Sequence, residues 1–283
     1  MKNCRSYIAS ACWLLLLSGC VAAQTLPTQG GDARPVATPD SNVNTTAQPK
    51  PSPDLTLEFG ADYEALNNDR PNWQTYFLRF NRKFSSGQML YGEASVVRRF
   101  DQTDPSLMVG WYQSLNKTRS WTTNLEVSGS PTHDVLPAFS FYGQIERNFG
   151  KGWLGHAGLR HSHYSEDDVN IGVFGVEKYF KAYRGAYTLY VAHLNGSGTS
   201  VSHAFQGNYY YGELNSVGIG FAFGQEIESV GHGGFIRTDV REVSLTGRHW
   251  FNQKWGLSYV ALWHRQGTAY TRSGAQVGVL LRF

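Results

Sequence analysis

Hydrophobic and polar side chains alternate along the segment from Ala275 to Phe283. One face carries Val277, Val279, Leu281 and Phe283, and the other carries Gln276, Gly278, Leu280 and Arg282. Alternation with a period of two predicts a β-strand that has hydrocarbon on one side and a polar interior on the other. Because a bare terminal strand is a pairing hazard, we expect this strand to pair with the first one and close a barrel.

The same period of two begins at Asp54 and recurs along the chain. It is clearest in residues 55–62, 121–128 and 217–224, where one face is apolar or aromatic and the other is small or polar. The spacing of an amphipathic helix fits these stretches poorly. We therefore expect residues 54–283 to form one β-domain.

Turn-forming sequences divide residues 54–283 at regular intervals and fall into two alternating sets. Short turns such as Ser85 to Gly87 and Asn252 to Lys254 alternate with a second set such as Gly129 to Asp134 and Ile227 to Ile236. This arrangement is typical of a meander. It predicts an all-β, transmembrane, antiparallel up-and-down barrel of about 14 strands, with 12 as the alternative. An even number places both ends of the barrel on the periplasmic side.

Residues 1–23 have the features of an export signal, with Lys2 and Arg5 before an apolar run from Tyr7 to Leu17. Two interpretations of its processing remain open. Val21 to Ala23 fits ordinary signal-peptidase cleavage, whereas the sequence ending at Cys20 resembles a bacterial lipobox, in which that cysteine is lipidated.

Residues 24–53 contain six of the ten prolines and no aromatic residue. Such a segment buries too little apolar surface to offset the entropy of ordering. We predict a disordered, proline-rich periplasmic linker.

The composition agrees with a membrane barrel. Aromatic residues make up 14% of the chain, charged residues only 17%, and there are 31 glycines. Beyond the N-terminal segment no apolar run reaches the roughly 20 residues that a transmembrane helix needs. The net charge of +3 is small and no basic cluster with interleaved aromatics occurs, so we expect no nucleic-acid partner.

Several stretches resemble one known family. Phe59 to Glu64, Gly158 to Tyr164, Val169 to Phe180 and the closing strand are similar to those of YaiO-like outer-membrane β-barrels of Gram-negative bacteria. The resemblance implies an integral outer-membrane location amid lipid and lipopolysaccharide, and insertion by the barrel-assembly machinery, which reads the strand ending in Phe283. It implies no settled activity. Related barrels accompany polysaccharide synthesis and export systems, sometimes behind a periplasmic helical-repeat domain, which we do not expect here.

The polar face of the predicted strands supplies candidates for the barrel lumen. They are Glu58, Asp62, Arg79, Glu126, Glu146, Arg160 and Arg282. Their mixed signs predict ion pairs across the lumen rather than the single-sign ring of a selective filter. The function that follows is a passive channel or export conduit for a polar solute or polysaccharide, without a cofactor.

Two other functions remain open. His163, Ser165 and Glu177 are spaced similarly to the catalytic residues of outer-membrane lipid A deacylases, which implies Ser165 as nucleophile, His163 as base and Glu177 as orienting carboxylate. Glu166 stands where that family has an asparagine. A structural or adhesive surface barrel is the third possibility. His156, His161 and His163 lack a further ligand for a convincing metal site, so we expect none.

Overall fold

The computed structural model describes residues 54–84, 87–195 and 198–283, and the regular structure in them is entirely β-strand. Residues 1–53, with the predicted signal peptide, the linker and Cys20, lie outside this part of the chain. Among the described residues, no helix is long and apolar enough to cross a membrane.

The described residues form fourteen strands. In chain order they are β1 (Asp54–Leu66), β2 (Trp73–Lys83), β3 (Met89–Arg99), β4 (Gln102–Ser114), β5 (Trp121–Gly129), β6 (Phe139–Gly150), β7 (Trp153–His163), β8 (Asp168–Phe180), β9 (Tyr183–Leu194), β10 (Gly198–Tyr211), β11 (Asn215–Gly231), β12 (Gly234–Trp250), β13 (Trp255–Gln266) and β14 (Tyr270–Arg282).

Each strand pairs with its neighbours in sequence, and β1 pairs with β14, so the sheet closes on itself. The closing ladder is antiparallel and runs from Thr56 opposite Arg282 to Leu66 opposite Arg272. The amide of Phe283 donates to the carbonyl of Leu55 at 2.9 Å. These pairings confirm the predicted up-and-down barrel of 14 strands.

We call the end of the barrel that holds Asp54 and Phe283 the terminal end, and the other the distal end. Connections at the terminal end are short, such as 151–152 between β6 and β7. The longest described distal connection, residues 130–138, is fastened to β4. Asp104 accepts hydrogen bonds there from the hydroxyl of Thr132 and from the amides of Asp134, Val135 and Leu136.

Side chains alternate between the two faces of the sheet as the sequence pattern predicts. Large apolar residues such as Phe59, Leu125 and Phe221 are exposed on the outside, each with 43–48% of its surface accessible. Their neighbours along each strand are buried inside the barrel. Because only a closed barrel satisfies every ladder hydrogen bond in lipid, this outer surface suits a bilayer.

Candidate functional site

The interior of the barrel is lined by charged and polar side chains. Six residues that the sequence indicates for the lumen are buried there with only 2–5% of their surface exposed, namely Glu58, Asp62, Arg79, Glu126, Glu146 and Arg160. Arg282 is half-buried at the terminal end, beside Thr56 in the ladder. A charge buried this deeply is stable only when it is paired or hydrogen-bonded.

The first interior cluster joins strands β1, β2 and β3. The guanidinium of Arg79 donates from Nε to Glu93 at 2.6 Å, and its Nη1 lies 3.6 Å from Glu58. Ser258 on β13 donates to the same Glu58 carboxylate. These contacts tie the strands on either side of the closing ladder through their side chains.

A second cluster lies across β3, β5 and β7. Arg160 pairs with Glu126 at 2.7 Å, and the hydroxyl of Tyr91 lies 2.8 Å from the side-chain oxygen of Asn124. Since Tyr91 is fully buried, its ring fills interior space between the charges.

The third cluster, nearer the terminal end, contains a double hydrogen bond between Arg184 and Glu177. Nε and Nη2 of Arg184 donate to the two carboxylate oxygens at 2.7 and 2.8 Å, and Nη1 donates to Gln206 and Asn208. Nearby, Glu146 accepts a hydrogen bond at 3.2 Å from Tyr112. Bidentate pairing of this kind fixes geometry as well as charge.

The lumen candidates drawn from sequence omit Arg184, and they also omit the interior pair of Glu64 with Arg272, which the structure brings into hydrogen-bonding contact. Both side chains are fully buried, and Arg272 lies over the ring of Trp73 at 4.9 Å. Glu64 follows Asp62 by two residues, so the same alternation contains the information needed to place it inside.

The distal mouth is covered by an extension of one hairpin. β11 pairs with β10 only as far as Gly224, and β12 pairs with β13 only from Val240. Residues 225–239, which we call the capping hairpin, pair only with each other. The turn predicted over Ile227 to Ile236 is in the right place but shorter than expected, because the ladder continues to Gly231 and resumes at Gly234.

The capping hairpin folds into the barrel rather than away from it. Ile227 is fully buried in an apolar cluster with interior residues of β8 and β9, including Val169 and Leu194. Phe235 packs edge-on against Tyr164, with ring centroids 5.1 Å apart. The apolar contacts hold one side of the hairpin against the wall.

Other residues of the capping hairpin contact strands β14 and β4 at the distal end. The carboxylate of Glu228 accepts from the hydroxyl of Tyr270 on β14 at 2.5 Å. A Cβ placed on Gly231 would overlap the side chain of Gln102 on β4, so the hairpin backbone lies directly against that residue. β4 is seven strands from β11 in the ring of fourteen, which makes it the opposite wall.

The three residues of the hydrolase hypothesis do not converge. The Nδ1 atom of His163 lies 2.7 Å from Asp168, and Ser165 donates to the carbonyl of His133 at 3.4 Å. Glu177 is bound to Arg184 inside the barrel, nine residues along β8 from Asp168, which corresponds to about 30 Å of strand. No nucleophile, base and orienting group are assembled by these residues.

His163 also lies on the outer face of β7, stacked on Phe139 at 5.1 Å. His161 shares that outer face, whereas His156 is buried inside. In the described ranges no group of three or more His, Cys, Asp or Glu residues could hold a metal ion.

Comparison with known proteins places this barrel among membrane β-barrels. The family model described as YaiO membrane beta barrel domain matches residues 55–228. No curated protein matches the sequence.

Two solved structures share the fold. One is described as a bacterial polysaccharide outer membrane secretin, with a TM-score of 0.51, 10% identity, and coverage of 82% of this chain and 98% of that chain. The other is Salmonella typhi OmpF in complex with daunomycin, with a TM-score of 0.50, 9% identity, and coverage of 82% and 97%. Identities this low relate the folds alone.

Proposed function

The chain belongs to the YaiO membrane β-barrel family of outer-membrane proteins, and from this premise we propose that it is a passive conduit for a polar solute, with polysaccharide as the favoured class. In this proposal the terminal end faces the periplasm, and the barrel-assembly machinery inserts the chain.

The polar interior is the observation on which the proposal depends. Buried charges such as Glu126 and Arg160 replace the apolar side chains that would fill a purely structural barrel at lower desolvation cost. A wall of this kind supports the passage of hydrated solutes. Since its positive and negative groups are paired with each other, the wall favours a neutral or weakly charged solute over one ion type.

Aromatic residues among these charges support a glycan as the solute. The buried rings of Tyr91, Tyr112 and Tyr142 lie inside the barrel, and the first two have hydroxyls hydrogen-bonded to Asn124 and Thr122. Rings with a polar tip combine an apolar face with a hydrogen-bonding group. Because these rings are almost fully covered in the described state, they contact a sugar only when the interior opens. The secretin with the similar fold is described as a polysaccharide protein, which agrees with this choice.

The capping hairpin makes the described state a closed one. Ile227 and Phe235 hold it against one wall, and Gly231 reaches Gln102 on the opposite wall. Passage through the distal mouth therefore requires the hairpin to leave the barrel. We expect the wild-type protein to be closed most of the time and to open briefly.

Planar-bilayer recording tests this function directly. Residues 226–238 are replaced by Asn-Gly, a two-residue turn that closes a ladder between Gln225 and Asp239. The shortened barrel should conduct steadily, and liposomes that contain it should admit neutral oligosaccharides. If wild-type and shortened barrels are both electrically silent and both exclude oligosaccharides, the conduit function is wrong.

A further inference from the structure

Two arginines face each other on the outside of the barrel near its distal end. Arg241 on β12 lies directly opposite Arg265 on β13, and both are exposed. Among the ladders that the structure describes, this is the one place where two arginines are direct cross-strand partners. Direct partners have Cβ atoms about 5 Å apart, so like charges there repel and destabilise the sheet.

Neither guanidinium is neutralised within the described residues. Arg241 makes no hydrogen bond or ion pair there, and Arg265 uses its Nε to donate to the carbonyl of Gly267 at 3.1 Å. The adjacent acid, Glu242, points into the barrel toward His264. The nearest acid on the outer face, Asp239, accepts a hydrogen bond from Gln225 and forms no ion pair with either arginine. The Nη atoms of both arginines therefore remain available for an anion.

The position of the pair identifies the kind of anion. Two residues further along each strand toward the terminal end, Val243 lies opposite Trp263, and both are exposed on the outer surface. The arginines thus lie where the apolar band ends and a headgroup region begins. A ligand that reaches them from the bilayer needs acyl chains for the band and a phosphate for the two guanidinium groups, which bind phosphate in bidentate fashion.

We propose that Arg241 and Arg265 form a binding site for the phosphate of a phosphorylated glycolipid of the outer leaflet, the lipid A part of lipopolysaccharide. The phosphate bridges the two guanidinium groups and turns their repulsion into a shared interaction. The site is separate from the conduit, since it lies on the opposite face of the sheet from the lumen. This proposal rests on the orientation in the proposed function, in which the distal end of the barrel faces the cell exterior.

A stability measurement with and without lipid A tests the site. The refolded barrel in neutral detergent is compared with Arg241→Gln/Arg265→Gln and with Arg98→Gln, which removes one exposed distal arginine whose partners, Gln74 and Thr103, are uncharged. Lipid A should raise the melting temperature of wild type and of Arg98→Gln. The double variant should bind lipid A at least about tenfold more weakly, because charge-assisted hydrogen bonds are lost.

The effect of the substitutions on the melting temperature, measured with and without lipid A, distinguishes a binding site from a structural role. Without lipid A, neutralising either arginine should leave the melting temperature unchanged or raise it, because the repulsion is removed. If the double variant does not fold, Arg241→Lys/Arg265→Lys, which retains both charges, should keep most of the stabilisation by lipid A. Equal stabilisation of all variants would overturn the site. An equal effect of inorganic phosphate, or of phosphatidylglycerol, would overturn the assignment to lipid A.

Discussion

Charged side chains inside this barrel are tolerated because they are paired, and the pair of Glu177 with Arg184 is the clearest case. Both side chains are almost completely buried, and Arg184 donates two hydrogen bonds to the Glu177 carboxylate. A buried ion pair contributes little net stability, but removing one partner leaves an uncompensated charge among buried side chains. The pair therefore specifies geometry more than it adds stability.

We expect Arg184→Met to destabilise the barrel by about 3–5 kcal/mol, since it leaves the Glu177 carboxylate without its partner. The double change Arg184→Met/Glu177→Leu should recover most of that loss. The measurement is urea unfolding of barrels refolded into lipid vesicles, with the exposed Arg98→Met as control. An equal loss in the single and double variants would contradict this account of the pair.

Among the elements, the capping hairpin depends on a bend at Gly224. Its φ of +138° is disfavoured for residues that have a Cβ, and a Cβ there would lie 2.4 Å from the carbonyl oxygen of Val201. Glycine thus allows β11 to leave the ladder with β10 and turn into the barrel.

Gly224→Ala should destabilise the barrel by about 1–3 kcal/mol and weaken the closed position of the capping hairpin. The urea unfolding curve measures the first effect, and conductance in planar bilayers measures the second.

Apolar contacts hold the capping hairpin against the barrel wall, so a substitution at Ile227 tests whether they keep the hairpin closed. Ile227→Ala should raise the open probability in planar bilayers, because it removes most of the buried side chain from the cluster. Ile219→Ala changes the same residue type on the same strand, but on the exposed outer face. If both variants behave as wild type does, the apolar cluster does not hold the hairpin closed.

At the scale of the whole molecule, closure joins residues more than 200 positions apart, and Phe283 completes it. Its backbone exchanges hydrogen bonds with Leu55, while 69% of the residue's surface is exposed. Because the ring packs little within the barrel, its removal should cost little stability. We propose that it serves recognition during assembly.

Phe283→Ala should therefore leave the urea midpoint of the refolded barrel within experimental error of wild type. In cells, the folded fraction, measured by heat-dependent migration on gels, should fall severalfold, and Phe283→Tyr should retain it. A lower midpoint of unfolding in vitro for Phe283→Ala would show instead that the ring acts through stability.

The sequence predicts the barrel well because its main signal is local. Alternation around Phe59, Leu125 and Phe221 reports which face of each strand meets an apolar environment, and that depends only on near neighbours in the chain. The same alternation places Glu58 and Arg160 on the inner face. It does not say that Glu58 meets Arg79 or that Arg160 meets Glu126, because those contacts depend on register between strands.

The hydrolase hypothesis fails for a related reason. His163 and Ser165 are close to Glu177 in sequence, but an extended strand separates residues by about 3.3 Å each. Glu177 thus lies at the other end of β8, bonded to Arg184. The chain turns back at residues 164–167, but that hairpin brings His163 opposite Asp168 and leaves Glu177 opposite Leu154.

The sequence by itself determined the class of fold, a strand number of about 14 with 12 as the alternative, the pairing of the first strand with the last, and the outward apolar face. All of these follow from a period of two and regular turns. The tertiary structure alone decided which charges pair, that residues 225–239 fold inward, and that Arg241 lies beside Arg265. Those features depend on the stagger between strands and on contacts across the barrel, which no local pattern encodes.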